Sequence, residues 1–310
     1  MANPAIASAF PDLTELTAKF TDIFNERFKD EGDRVPEYYR VVTDKSINTR
    51  YSTVSGMGQL VEFTGTINYG DVAQGYDVTI TPVQFNRGFS IERLMADIDQ
   101  HDIMNSKPRA LGAAAARTRN VHAVRPWNNA FSVDAYFGAH TEGVSMCSNS
   151  HTTTTGASTA NGYDNLVTTS LSSVSLSSMR VQGLNFRDEQ AEKIGNLKFD
   201  TLLVPQQGNM EETAWEIVNS MGKVDTANNN PNFNKDRFSL KADIYLDDAN
   251  NFFLYDSGMS KDHGLIWQEA VSPEFAMVED FDTLIAKWRC YGRWANHWIS
   301  WPWVIGAQVS

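Results

Sequence analysis

The chain has 310 residues, 42% hydrophobic and 21% charged, which suits one large core or two modest ones and excludes wholesale disorder. A formal net charge of -12 excludes a generic nucleic-acid binder, because gripping phosphate takes an excess of Lys and Arg. Two cysteines, Cys147 and Cys290, are too few for a disulfide framework or a metal cluster and read as reduced, buried thiols. The opening Met1-Ala2-Asn3-Pro4 lacks the basic and apolar regions of a signal peptide, and no apolar run is long enough to span a membrane. The expected setting is a cytoplasm.

Residues 12–28 predict an amphipathic helix, capped by Asp12 with Glu15 three residues on. Leu13, Leu16, Phe20, Ile23 and Phe24 form its stripe. The charged, irregular stretch 30–48 reads as a tether. A long β-hairpin is expected over 59–83. Val61, Phe63 and Ile67 on one strand and Tyr76, Val78 and Ile80 on the other share an apolar side, with Asn68-Tyr69-Gly70-Asp71 at the tip. A two-stranded ribbon is marginal alone in water and must lie on something. A helix capped by Ser90, with Ile91, Leu94, Met95 and Ile98 on one face, follows. Pro108 should kink or split it before the alanines 113–116.

Residues 148–162, rich in Ser, Thr, Asn and Gly, read as a surface loop. The stretch 164–182 is ambiguous. Phe199 to Val204 predicts a buried strand and Met210 to Met221 a helix. Alternation through Phe238, Leu240, Ala242, Ile244 and Leu246 predicts a strand, as does the run Phe252 to Tyr255. Leu284, Ala286, Trp288 and Cys290 alternate in a last strand-rich, aromatic segment that continues through Trp294, Trp298, Trp301 and Trp303. Helices and strands mix without a βαβ rhythm, which argues α+β.

This order of elements resembles the major capsid proteins of tailed bacteriophages, with the Hong Kong 97 fold and an affinity to Mu-like major head subunits. Phe199-Asp200-Thr201-Leu202-Leu203-Val204-Pro205 is similar to the family's "DTLLVP" strand. Asn229-Asn230-Pro231-Asn232-Phe233-Asn234 and the following strand resemble the stretch before its "WYL"-type segment, here Phe252-Phe253-Leu254-Tyr255. The resemblance implies an N-terminal arm (1–50), an extended loop (51–88), a peripheral domain with the spine helix (89–135 and 271–296) and an axial domain (136–270 and 297–310). It implies a structural, non-enzymatic subunit that self-assembles into pentamers and hexamers of an icosahedral shell. Portal, scaffold and decoration proteins are the implied partners, with weak contact to packaged DNA and no cofactor. The residues expected between subunits are Leu13, Leu16, Phe20 and Ile23 of the arm, and Val61, Phe63, Ile67, Tyr69, Tyr76, Val78 and Ile80 of the loop. The lysine-to-asparagine cross-link of the fold's type member is not expected, because residues 51–88 contain no lysine and Arg87 is their only base.

Other chemistry reads weakly. The six histidines form no ligand pair, and the pairs His101-Asp102 and Asp262-His263 are sequence neighbours that rarely face each other usefully. Acidic clusters at Asp247-Asp248 and Glu279-Asp280-Asp282 read as solvated edges rather than cation sites. Arg109, Arg117, Arg119 and Arg125 either meet DNA or pair with acidic neighbours. The tryptophans fit a core or subunit contact better than a sugar groove. Two rival readings remain: an encapsulin-like cellular compartment shell, and a tryptophan-rich carbohydrate-binding β protein.

Overall fold

The computed structural model describes residues 13–98, 103–222, 231–280 and 282–309. In chain order come α1 (Leu13–Asp30), α2 (Val35–Tyr38), β1 (Arg40–Thr43), β2 (Thr49–Val54), β3 (Gln74–Ile80) and β4 (Val83–Glu92). Next are α3 (Arg93–Ile98), α4 (Ile103–Asn128), β5 (Gly138–His140), β6 (Leu166–Val167) and α5 (Ser173–Gly183). The remainder is β7 (Thr201–Pro205), α6 (Met210–Asn219), β8 (Ser239–Asp243), β9 (Phe252–Tyr255), β10 (Leu265–Asp280), β11 (Ile285–Trp298) and β12 (Val304–Ala307). Three sheets result, in the orders β1-β10-β11-β4, β6-β12-β9-β7-β8 and β2-β3-β5. The first two mix parallel and antiparallel pairs, which is the expected α+β class.

The five-stranded sheet holds the main core. Every residue of β7, β9 and β12 is buried, so these strands are unbroken apolar runs rather than alternating ones. Trp127 of α4 packs edge-on to Phe253 at 5.1 Å and to Trp303 at 5.5 Å. In the four-stranded sheet β10 and β11 form a long antiparallel hairpin. Its register shifts between Glu269 and Val271 and again between Val271 and Glu274, around Pro273, which has no N–H for the ladder. Beyond this irregularity lie two small satellite cores under α1. Phe20 meets Trp288 at 5.2 Å, and Phe24 stacks on Phe275 at 5.1 Å. α1 lies close to α4 where Gly112 leaves room; a Cβ there would sit 2.6 Å from the Phe24 carbonyl oxygen.

Several expectations need correction. The hairpin over 59–83 does not form: β3 pairs with β2 and β5, and 55–73 contains no strand. The supposed tether contains α2 and β1, with Val35, Tyr38 and Tyr39 in the main core, because their large apolar side chains find cover there. Ser90 and Ile91 belong to β4, where pairing with β11 outweighs the helical stripe, and the helix starts at Arg93. Pro108 is the sixth residue of α4 and does not end it, although its ring supplies no N–H to the helix there. β8 stops at Asp243, so Ile244 is exposed, as is Met221 just past α6. The ambiguous 164–182 resolves into β6 and α5, whose serines form a capping box between Ser172 and Ser175. The Asp12 cap, His101-Asp102 and Asn229-Asn230 lie outside the described residues.

Candidate assembly interface

The largest concentration of exposed apolar side chains is the segment 55–73. Leu60 is 99% exposed, Phe63 70% and Tyr69 87%, with Met57, Val61 and Ile67 also open to water. Surface patches of this kind mark binding sites. Its base is fixed while its tip is free. Ser55 N–H donates to the Ala73 carbonyl, and Ala73 N–H donates back to Ser55 Oγ, both at 2.9 Å. Gln190 Nε2 donates to the Gly56 carbonyl at 2.8 Å, and Gln59 N–H donates to Glu192 Oε1 at 2.9 Å. The stalk below is the β2-β3-β5 sheet, pinned by an ion pair between Arg50 and Asp77. The Arg50 hydrogen bond, then one from Ser52, hold the Asp77 carboxyl down at about 2. The segment's only charged residues, Glu62 and Asp71, are acidic.

The expected contact residues separate into two groups. Val61, Phe63, Ile67 and Tyr69 stand exposed on this segment. Val78 and Ile80 do not belong with them: both are fully buried in the main core, because β3 is sandwiched between β2 and β5. Tyr76 is half-buried, its hydroxyl 2.6 Å from Thr152 Oγ1. In the arm, Phe20 is fully buried against its own subunit, and Leu13, Leu16 and Ile23 are partly buried around it, so Phe20 has no surface left for a neighbour.

The basic stretch is half consumed internally. Arg119 donates Nη1 and Nη2 to the two oxygens of Glu269, each at 3.0 Å, and Nε to Asp33 Oδ1 at 3.2 Å. Burial alone would raise the Glu269 carboxyl; the Arg119 fork and Ser272 overcome this and hold it below its ordinary range. Arg125 forks onto Asp134 at 2.7 and 2.8 Å. Arg109 and Arg117 remain exposed.

His140 and His151 take part in packing. His151 Nδ1 donates to Glu142 Oε1 at 3.1 Å and the ring stacks on Trp301 at 4.3 Å, inside what reads from sequence as a solvated loop. His140 stacks on Trp298 at 3.8 Å, and burial pushes it down to about 4. Among the described residues no group of three His, Cys, Asp or Glu could hold a metal ion, and no helix is long and apolar enough to cross a membrane. Trp301 and Trp303 are buried, as are five of the other six tryptophans, which removes the surface a sugar groove would need. The arrangement offers surfaces for association. Sequence reasoning missed β10 and the buried Arg119-Glu269 pair, whose partners stand 150 positions apart with no local signal to join them.

The fold is that of viral shell subunits. The chain is similar to the mature capsid subunit of bacteriophage PhiM1, with a TM-score of 0.56, 11% identity, and coverage of 91% of this chain and 86% of that one. It is similar to the capsid of cyanophage P-SCSP1u, with a TM-score of 0.56, 10% identity, and coverage of 89% and 87%. It also resembles the virus-like particle from Pyrococcus furiosus, with a TM-score of 0.52, 8% identity, and coverage of 95% and 100%. At these identities the likeness establishes the fold alone. No curated protein matches the chain.

The phage capsid protein family model matches residues 75–296, and the chain belongs to that family. It is a structural capsid protein of the virion, with the Hong Kong 97-like fold, and works by association with copies of itself rather than by catalysis.

Proposed function

We propose that the segment 55–73 of each subunit lies across an adjacent copy and carries much of the shell's lateral cohesion. The supporting observation is its exposed apolar content on a base that its own subunit fixes. A free monomer leaves that surface in water, at about 25 cal/mol per Å² of apolar area, and repetition around a ring multiplies the gain on burial. The β1-β10-β11-β4 sheet with α1 and α4 acts as the peripheral part, and the β6-β12-β9-β7-β8 sheet as the axial part. Assembly takes place in the host cytoplasm, with scaffold, portal and decoration proteins as further partners. Arg109 and Arg117 make weak, sequence-independent contact with packaged DNA.

The test is electron microscopy and light scattering of the purified chain beside a variant with 56–72 replaced by a short Gly-Ser turn. The native chain should give rings or shells and the variant folded, unassembled subunits. Normal shells from the variant would sink the proposal. Native particles should dissociate to single chains of 34.7 kDa in denaturing electrophoresis; a covalent ladder resistant to reductant would refute the packing-only account.

A further inference from the structure

We infer that the α5–α6 face of the five-stranded sheet is a second contact between copies of this chain, Trp215 and the acidic flank of α6 on one copy seating against Phe233 and the Arg180–Arg237 pair of the next. The inference rests on the shell reading above but uses none of the residues assigned there.

All eight tryptophans lie among the described residues, and seven are buried; Trp215 is 59% exposed. α6 turns Ala214, Ile217 and Val218 inward. Its outer face carries Trp215 between Glu212 and Glu216, and the helix has no base. Glu211 and Glu212 suit the positive helix N-terminus, but Glu216 lies in the second half, where the macrodipole disfavours it. Helix stability therefore does not account for this face.

The chain then returns beside it. Asn232 Nδ2 donates to the Ile217 carbonyl at 2.6 Å, Asp236 N–H to the Val218 carbonyl at 3.0 Å, and Asn234 Nδ2 to the Ser173 carbonyl of α5 at 3.1 Å. These bonds fix Phe233, 70% exposed, between the two helices. The Arg237 guanidinium lies over the Phe233 ring, 4.4 Å from its centroid. Arg180 is close enough to feel that charge, burial and Arg237 together lowering its pKa. Val174 and Val181 of α5 extend the exposed apolar surface.

The face therefore holds an aromatic centre with an acidic flank on one side and a basic flank on the other. Among the described residues none of Glu211, Glu212, Glu216, Arg180 and Arg237 forms an ion pair. Two neighbouring guanidiniums and a set of carboxylates, all outside the ion pairs of the described residues, match each other when two such faces meet. Such a face is self-complementary, so two copies meet about a two-fold axis with the acidic flank of each on the basic flank of the other. Trp and Arg around a desolvated centre are the residue types that dominate interface energy.

The test uses the full chain. Acrylamide quenching reads Trp215 directly, because the other seven rings are already buried. Quenchable emission should be present in unassembled subunits and lost in shells. Glu212→Lys with Glu216→Lys, and separately Arg180→Glu with Arg237→Glu, should each abolish shells while the subunit's circular dichroism is retained. The four changes combined in one chain restore opposite charges across every contact and should restore assembly. Shells in which Trp215 stays quenchable, a one-sided variant that assembles like the native chain, or a folded four-fold variant that does not assemble would each overturn this contact alone. A native chain that never assembles overturns the shell reading and this contact with it.

Discussion

Residues 59–69 and 74–80 carry the same pattern, β-branched and aromatic side chains alternating with polar ones, yet they end in opposite environments. Val78 and Ile80 are fully buried, paired through β3 to β2 on one side and β5 on the other. Leu60, Phe63 and Tyr69 find no partner in their own subunit and stand in water. Alternation reports that one face of a segment wants cover. It does not report whose surface supplies it. β2, read from sequence as the end of the arm and the start of the loop, takes the pairing with β3 that the 59–69 segment was expected to have.

Breaking the buried half should have the largest effect. Val78→Asp places a carboxylate where no partner or water reaches, at a cost of about 4 kcal/mol or more. The isolated subunit should lose its cooperative melt by circular dichroism. A native-like melt would return β3 to the outside and merge the two regions again.

Arg119 tests a second boundary, between the main core and the satellite cores under α1. Its side chain and that of Glu269 are nearly buried. Arg119→Ala leaves that carboxylate unpaired and should destabilise the subunit by about 3–5 kcal/mol. Replacing both, Arg119→Met with Glu269→Leu, should recover most of the loss. Equal melting of the single and double variants would remove the pair from the account.

Acid probes the stalk beneath the loop. His140 of β5, and His122 packed against Phe85 at 4.6 Å, are both lowered by burial from 6.5 to about 4. As pH falls the unfolded chain takes up these protons first. Subunit stability is therefore full above about 6.5 and declines through the window from 6.5 to 4. Urea melts across that range should show the decline. Replacing His140 with Phe should flatten part of it; an unchanged slope would remove His140 from the linkage.

The smallest effect on the subunit should come from the exposed half. Phe63→Asp removes no internal contact and should move the subunit's stability by no more than about 0.5 kcal/mol. Shell yield and shell melting by calorimetry should nevertheless fall. Shells with unchanged melting would show that Phe63 faces solvent in the assembly too.

Much of the fold was legible where one residue type satisfied local and global demands together. The run Thr201 to Pro205 is too apolar for anything but a central strand, and the Met210–Asn219 helix carries its apolar stripe and acidic first turn in ten residues. The tryptophan-rich end is core, as large aromatic area demands. Trp215 falls outside the apolar stripe of Ala214, Ile217 and Val218, and its exposure in the structure is what marks it.

By itself the sequence determined the α+β class, most helices and buried strands, the want of lysine on the loop, and a surplus of apolar surface. Local propensity and period decide those within a few neighbouring residues. Only the tertiary structure decided which surplus was real. Pairing β2 with β3, β1 with β10 and β10 with β11 joins residues as much as 226 positions apart, as in Arg40 with Ile266, and the pairing of β3 puts Val78 and Ile80, which looked uncovered, into the core. What those long-range pairings leave unpaired, the loop at 55–73 and the α5–α6 face, is set by competition for partners across the whole chain.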